Sequence, residues 1–196
     1  MNRILKLIAP ALAVALLAGC ESDQNDHGAD AKRMATDGEK VAVAKVSPSR
    51  AATTQPSWGK ATGTVTFTAQ EDGKVKVAID LQGVPAGAHG FHIHENGDLS
   101  ADDLTSAGGH FNPDKHPHAG PDAPKRHAGD LGNVDADKSG KVKKEMTTSG
   151  ISIGSGAAND IVGKAVILHV KADDLKSQPT GDAGGRIAGG LIELKK

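Results

Sequence analysis

Short runs of alternating polar and apolar residues dominate the chain after its first sixty positions. Between positions 61 and 69, small or apolar residues alternate with four threonines, and between 75 and 81 branched apolar residues alternate with mostly polar ones. Because successive side chains of a strand point to opposite faces, this period of two predicts strands with one buried face. Glu71-Asp72-Gly73 separates the two runs and is typical of a turn, so the pair predicts a β-hairpin.

Similar alternation predicts four further strands, at 91–94, 142–147, 162–170 and 186–194. Aromatic residues make up 2% of the chain, and there are 25 glycines. This composition suits short strands joined by tight turns better than a large helical core. We therefore predict an all-β domain, built as an antiparallel sandwich or barrel.

Two long stretches, 95–133 and 172–185, lack this periodicity. Loops longer than about 15 residues are uncommon in compact domains unless they are functional or disordered. The first stretch carries His110, His118, His127 and Asp130. We expect metal ligation to supply the order that an apolar core does not supply there.

Histidine is the residue type that carries the candidate chemistry, and the chain has nine. His92 and His94 lie two positions apart on a predicted strand, so both project from the same face. The alternation around His169 places it on the face opposite its apolar neighbours. Imidazole nitrogens in a tetragonal array suit Cu(II), and three imidazoles with one carboxylate suit a closed tetrahedral zinc site.

From about Trp58 to the C-terminus, the chain resembles the copper,zinc superoxide dismutases. Five short contexts carry this resemblance: Gly90-Phe91-His92-Ile93-His94-Glu95, His110-Phe111-Asn112-Pro113, His118-Ala119-Gly120-Pro121, His127-Ala128-Gly129-Asp130-Leu131-Gly132-Asn133 and His169-Val170-Lys171-Ala172-Asp173-Asp174. The fold that the resemblance implies is an eight-stranded antiparallel Greek-key β-barrel or sandwich. A long metal-binding loop and a second, electrostatic loop would accompany the barrel.

The resemblance also implies the ligands of two metal cofactors, a copper ion and a zinc ion. Copper would be held by His92, His94, His110 and His169, and zinc by His110, His118, His127 and Asp130. The ring of His110 would lose its proton and bridge the two ions, which is favourable when a cation binds each nitrogen. His116 competes with His118 for the second zinc position. We prefer His118 because of its spacing from His110 and the Gly-Pro that follows it.

Two residues outside the ligand set receive roles from the same resemblance. Asp173 would contact both a copper ligand and a zinc ligand and so join the two sites. Arg186 would be a catalytic residue that attracts and orients superoxide beside copper. His110 would be the other catalytic residue, because it would release copper and carry a proton. His89, just before the strand motif, is expected to be solvated.

One feature of the family is missing from this chain. The positions that match the family's disulfide hold Leu104 and Gly189. Loss of such a bond typically costs about 2–5 kcal/mol. We expect metal binding and the packing of Leu104 to offset this cost, so the metal-free protein should be unusually labile.

The activity that the resemblance implies is dismutation of superoxide to oxygen and hydrogen peroxide, an oxidoreductase reaction that serves antioxidant defence. The main alternative is a non-catalytic copper-binding or copper-buffering lipoprotein on the same fold. A copper-only enzyme and a structural adhesion sandwich are more distant alternatives. The net charge of −1 gives no general attraction to nucleic acid. The choice between monomer and homodimer stays open.

The N-terminal residues predict export from the cytoplasm. Arg3 and Lys6 precede an apolar run at 7–18, which is shorter than the roughly 20 residues of a membrane-spanning helix and is typical of a signal peptide. The run ends in Leu17-Ala18-Gly19-Cys20, which resembles the processing box of bacterial lipoproteins and implies lipidation of Cys20. A plain signal peptide with an incidental cysteine is the alternative. The predicted organisation is a signal peptide (1–19), a disordered tether (20–56) and a superoxide dismutase domain (57–196), anchored to a membrane in the periplasm or at the cell surface.

Overall fold

The structure is a computed structural model that describes residues 39–196, and its main feature is one eight-stranded antiparallel sheet. The strands are β1 (Val41–Pro48), β2 (Thr62–Ala69), β3 (Val75–Gln82), β4 (Gly87–His94), β5 (Asp130–Ala136), β6 (Val142–Thr148), β7 (Ala165–His169) and β8 (Arg186–Leu194). The helical elements within the described range are a single turn, α1 (Arg50–Thr53), and 3-10 turns at Pro56–Trp58 and Thr105–Ala107. No helix within residues 39–196 is long and apolar enough to cross a membrane.

The strand order around the sheet is β5-β4-β7-β8-β1-β2-β3-β6. Strand β3 pairs with β6, whereas β4 pairs with β5 and β7, so the chain crosses to the other side of the molecule between β3 and β4. The edge strands β5 and β6 lie near each other, and the Lys144 ammonium donates to the carbonyl of Asn133 across the gap at 2.6 Å. The predicted all-β, eight-stranded Greek-key barrel is confirmed.

The apolar core lies where the alternating pattern places it. On β2, Val65 and Phe67 are completely buried, and on β3 the inward-facing Val77, Ile79 and Leu81 are at most 2% exposed. Burying each such side chain contributes about 1.5–3 kcal/mol relative to leaving it in water. The outward-facing threonines of β2 and Lys76 of β3 stay at the surface, so the period of two in the sequence has a direct structural cause.

The predicted tether extends too far toward the C-terminus, and this correction concerns β1. Residues 41–48 pair with both β2 and β8, so the folded part of the chain begins well before position 57. Alternation fails to reveal β1 because its buried side chains, Ala42, Ala44 and Val46, are no more apolar than the partly exposed Val41 and Val43. The predicted signal peptide and the part of the tether before position 39 lie outside the described residues.

The predicted loop at 95–133 ends earlier than expected, because β5 begins at Asp130. The first three residues of β5 are all buried, so hydrophobicity does not alternate along them. β4 is longer than predicted and β7 is shorter. These two strands are neighbours, and Phe91 of β4 lies opposite Leu168 of β7.

Candidate metal centre

Three of the predicted copper ligands lie on two adjacent strands. His92 and His94 lie on β4, and His169 ends β7, where it pairs with Arg186 of β8. The fourth, His110, lies in the loop but forms an antiparallel bridge with His94. All four are at most 5% exposed, and each offers a ligand atom within 4.8 Å of the others. We call this set the first histidine group.

Hydrogen bonds on the far side of each ring fix which nitrogen faces the pocket. The Nδ1–H groups of His94 and His169 donate to the carbonyls of Gly108 and Gly184, at 3.0 and 3.1 Å. The Nε2–H of His92 donates to a carboxylate oxygen of Asp173 at 2.9 Å. Because a neutral imidazole has one donor and one acceptor, Nε2 of His94, Nε2 of His169 and Nδ1 of His92 keep free lone pairs. The Nε2 atoms of His94 and His169 are 3.3 Å apart.

A second group, which we call the aspartate group, forms around one oxygen of Asp130. The Nδ1 atoms of His110, His118 and His127 lie 2.8, 3.0 and 3.3 Å from Asp130 Oδ1. All four residues are buried. Three imidazoles and one carboxylate form a donor set that suits tetrahedral zinc.

His110 belongs to both groups. Its Nδ1 contacts Asp130, whereas its Nε2 is buried and has no hydrogen-bond partner among residues 39–196. The same is true of Nδ1 in His92, His118 and His127; the last two approach Asp130 without hydrogen-bonding geometry. Leaving one buried polar atom unsatisfied costs about 1–3 kcal/mol. These four nitrogens, aimed into two adjoining pockets, therefore fit metal ions as their partners.

Burial keeps three rings of the first histidine group, those of His94, His110 and His169, neutral and able to bind a cation. It lowers the pKa of His110 to about 4, against the opposing effect of Asp130. It also lowers the pKa of His94 and of His169 well below the usual value, with help from neighbouring rings and from Arg186. A neutral imidazole is the form that binds metals, so these groups need little deprotonation at neutral pH.

In the aspartate group, in contrast, the surroundings stabilise a charged side chain, the carboxylate of Asp130. Burial opposes the ionisation of Asp130, but its close contacts with the rings of His110, His118 and His127 hold its pKa far below the usual value. Burial lowers the pKa of His118, whereas the carboxylates of Asp130 and Asp173 raise it. The net change is upward. This pocket therefore carries a fixed negative charge that suits a divalent cation.

Asp173 links the two groups. One carboxylate oxygen accepts from His92 at 2.9 Å and the other accepts from His118 at 3.0 Å. Its backbone N–H and C=O pair with the side-chain amide of Asn133, at 2.7 and 2.9 Å. Gly181 lies so close that a Cβ there would be 1.8 Å from the carboxylate. The sequence predicted the bridging role of Asp173 but gave no indication of Asn133 or Gly181 as its supports.

Arg186 lies beside the first histidine group and is held by the loop between β4 and β5. Its Nη1 and Nη2 donate to the carbonyls of Leu104 and Gly108, each at 2.6 Å. The Gly108 carbonyl also accepts from His94, so one oxygen connects the guanidinium to a predicted copper ligand. Burial lowers the pKa of Arg186, although Asp103 opposes this change. A guanidinium stays charged in proteins, so the side chain presents a fixed cation there.

Comparison with known proteins agrees with this geometry. The model of the copper/zinc superoxide dismutase (SODC) family matches residues 61–192. The chain belongs to this family. The family model starts at β2, which leaves β1 outside the matched range.

Two relatives in the family are more than two-fifths identical to this chain. An extracellular Cu-Zn superoxide dismutase of Drosophila melanogaster is 45% identical over 140 residues, covering 68% of this chain and 76% of the relative. A Cu-Zn superoxide dismutase of Paramecium bursaria Chlorella virus 1 is 46% identical over 145 residues, covering 70% and 75%. The crystal structure of the clock protein EA4 superposes with a TM-score of 0.69 at 39% identity, covering 80% of this chain and 96% of that one.

The resemblance matches Leu104 to one end of the family's disulfide. Its side chain is 5% exposed and packs with Ala107, Ala165 and Ile167. A Cβ on Gly189 would be 3.1 Å from Leu104 Cδ1, so the leucine fills the space that faces the glycine. The backbone of Leu104 is left-handed, with φ 60°. The Arg186-binding carbonyl is therefore held by apolar packing at this position.

The predictions for two other histidines, His89 and His116, have different outcomes. His89 was expected to be solvated, but it is 3% exposed, and both ring nitrogens lie 2.8 Å from backbone carbonyls, those of His169 and Pro85. The expectation is wrong because the ring of His89 lies between two backbone carbonyls, and the local sequence does not reveal such partners. His116 is half-buried and belongs to neither ligand group, so the structure brings in His118 at the disputed position.

Proposed function

We propose that this chain dismutates superoxide to oxygen and hydrogen peroxide, with copper in the first histidine group and zinc in the aspartate group. The observation that carries the proposal is the position of His110, whose two nitrogens belong to different pockets. Bound copper would supply one-electron redox chemistry, alternately accepting an electron from one superoxide and giving it to the next. Two superoxide ions and two protons give one oxygen and one hydrogen peroxide, so the protein must also manage protons.

We assign the transfer of a proton to His110. Its Nδ1 stays in the aspartate group, while its Nε2 faces the pocket of His92, His94 and His169. When Nε2 is free of copper, it can hold one proton and deliver it to the substrate, and solvent supplies the second. The contacts of Asp130 keep the ring from turning away during this exchange.

We assign the attraction of the anion to this pocket to Arg186. The substrate carries one negative charge, whereas the described residues 39–196 carry 19 Lys+Arg and 19 Asp+Glu and have no net charge with histidine neutral. The overall charge does not favour an anion, so attraction must be local. The guanidinium is fixed by two carbonyls and needs no reorganisation to receive the substrate.

The decisive test is superoxide consumption by the full chain loaded with both metals, together with its metal content. We expect activity, with copper and zinc in equal amounts, and loss of activity in His110→Ala. Copper binding without superoxide consumption would favour the copper-buffering alternative. Activity with copper and no zinc would favour a copper-only enzyme.

We further propose that the chain is an exported bacterial lipoprotein, anchored to a membrane through lipidated Cys20. The charged start, the apolar run at 7–18 and the cysteine that directly follows Ala18-Gly19 support this. The fly relative named as extracellular fits a location outside the cytoplasm. Residues 20–38 would then serve as a polar tether. In cells that process lipoproteins, Cys20→Ser should move the protein from the membrane fraction to the soluble fraction, and an unchanged distribution would contradict the anchor.

A further inference from the structure

The backbone of His118 is held by one side chain from the second loop, which joins β7 to β8. Oε1 of Gln178 accepts from the His118 N–H at 2.9 Å, and Nε2 of Gln178 donates to the His118 C=O at 2.8 Å. The two residues are 60 positions apart. A primary amide has one acceptor and two donors, so it matches a backbone N–H and C=O pair as another backbone would.

His118 needs such a partner because it lies outside regular structure. Between Phe111 and Gly129 the chain forms neither strand nor helix, so no ladder fixes the backbone there. The other members of the aspartate group are fixed differently. His110 bridges β4, Asp130 begins β5, and the backbone N–H of His127 donates to Asp130 at 3.0 Å.

The second loop also holds the ring of His118. Its Nε2 donates to Asp173 at 3.0 Å, so residues five apart on one loop contact both the ring and the backbone of the same histidine. The ring is completely buried, and its Nδ1 faces Asp130. Fixing the backbone and the far nitrogen leaves the ring little freedom to leave the pocket.

We propose that Gln178 is a positioning residue that sets His118 as a ligand of the aspartate group and so raises the zinc affinity of this protein. The proposal rests on the proposed zinc site. Loss of a side chain that orients a metal ligand typically lowers metal affinity about 10–100-fold. The effect should be confined to the aspartate group, because no hydrogen bond described within residues 39–196 joins Gln178 to His92, His94 or His169.

Three variants of the full chain separate positioning from general stability. Gln178→Leu keeps the approximate size and removes both hydrogen bonds to His118, together with a local one to the Lys176 carbonyl. Gln178→Glu keeps an acceptor for the His118 N–H and loses the donor to its C=O. Gln82→Leu is the matched control, since Gln82 is an exposed residue on β3. Zinc affinity is measured by competition with a chelator, and copper affinity is measured in parallel. Co(II) substituted for zinc reports the geometry of the site through its visible absorption.

The expected result for Gln178→Leu is zinc binding about 10–100-fold weaker, a weaker tetrahedral Co(II) band and unchanged copper affinity. Gln178→Glu should fall between this variant and the parent, and Gln82→Leu should match the parent. Zinc affinity equal to that of the parent, or equal losses of zinc and copper affinity, would overturn the proposal. If the parent itself bound no zinc, the proposed function would fail instead, so the two failures are distinguishable.

Discussion

The two ligand groups use the same side chains but differ in what holds them. In the first histidine group, three of four members lie on β4 and β7, where backbone ladders fix their spacing. In the aspartate group, three of four members lie in the loop before β5, and side-chain contacts from Asp130, Asp173 and Gln178 fix them. The comparison teaches that one pocket is built by the barrel, whereas the other depends on contacts between loops.

This difference assigns different roles to the two metals that we propose. Strand-held ligands can keep their geometry without a cation, which suits a site where one ligand, His110, must release and rebind. Loop-held ligands gain much of their order from the cation itself, because metal binding and local folding are coupled. His110 is where the two kinds of site meet, so the strongest tests concern this residue.

The largest expected effect comes from His110→Ala, which removes a donor from both groups. We expect activity at background and zinc affinity lowered more than about 100-fold, because loss of a ligand should exceed the loss of a residue that only orients one. An activity assay and chelator competition check this. His116→Ala is the matched control from the same loop, and its activity should equal that of the parent. Substantial activity in His110→Ala would contradict a shared ring.

Arg186→Ala should have the next largest effect and should act on the substrate rather than on the metals. We expect kcat/KM to fall about 10–100-fold, within the range of electrostatic steering, with copper and zinc content unchanged. The remaining rate should depend less on ionic strength, because the local cation is gone. Arg186→Lys should recover only part of the loss, since an ammonium cannot contact two carbonyls in the same way. A rate equal to that of the parent would remove Arg186 from the mechanism.

Acid should destabilise the metal-free protein through the first histidine group. Folding lowers the pKa of His94, His110 and His169, so the unfolded chain binds more protons below pH 6.5. Their stabilisation is complete above pH 6.5 and is lost as the pH falls below that value, which for His110 continues to about pH 4. For His110 alone, the change from 6.5 to about 4 corresponds to about 3 kcal/mol.

His118 acts in the opposite direction, because folding raises its pKa. Its contribution is present below pH 6.5 and is lost at higher pH, so it offsets part of the acid effect. Denaturant unfolding of the metal-free chain at several pH values measures the sum. We expect a net loss of stability on acidification and a shallower loss in His110→Ala. A free energy of unfolding that is constant from pH 7 to 4 would contradict the burial of these rings.

The smallest effect is expected for Leu104→Ala, which tests the apolar contact with Gly189. Buried leucine-to-alanine changes cost about 2–5 kcal/mol, and we expect about 2 kcal/mol because a cavity already borders Leu104. That cavity has a volume of about 340 Å³. Leu194→Ala, at a residue 47% exposed, is the control and should change stability little. Equal thermal unfolding of the Leu104→Ala variant and the parent, both without metal, would show that this packing does not replace a covalent link.

The predicted ligands were visible in the sequence because each lies in a short local motif. The residues that orient these ligands come from distant positions. His92 and His94 follow from strand alternation alone, but the contact of Gln178 with His118 spans 60 residues. Strand β1 was missed because alanines fill its buried face. His89 was misjudged because its partners are backbone carbonyls, which no residue type reveals. The local sequence pattern thus predicts the metal-ligand residues better than it predicts the residues that orient them.

The central claim is that one imidazole ring, that of His110, joins both pockets. The most direct measurement is the electron paramagnetic resonance spectrum of the full chain loaded with Cu(II) in the first histidine group and Co(II) in the aspartate group. A shared, deprotonated ring would couple the two unpaired-spin systems, so the ordinary Cu(II) signal should be lost. The same sample with Zn(II) in place of Co(II) should keep that signal. An undiminished Cu(II) signal in the cobalt-loaded protein would contradict the account.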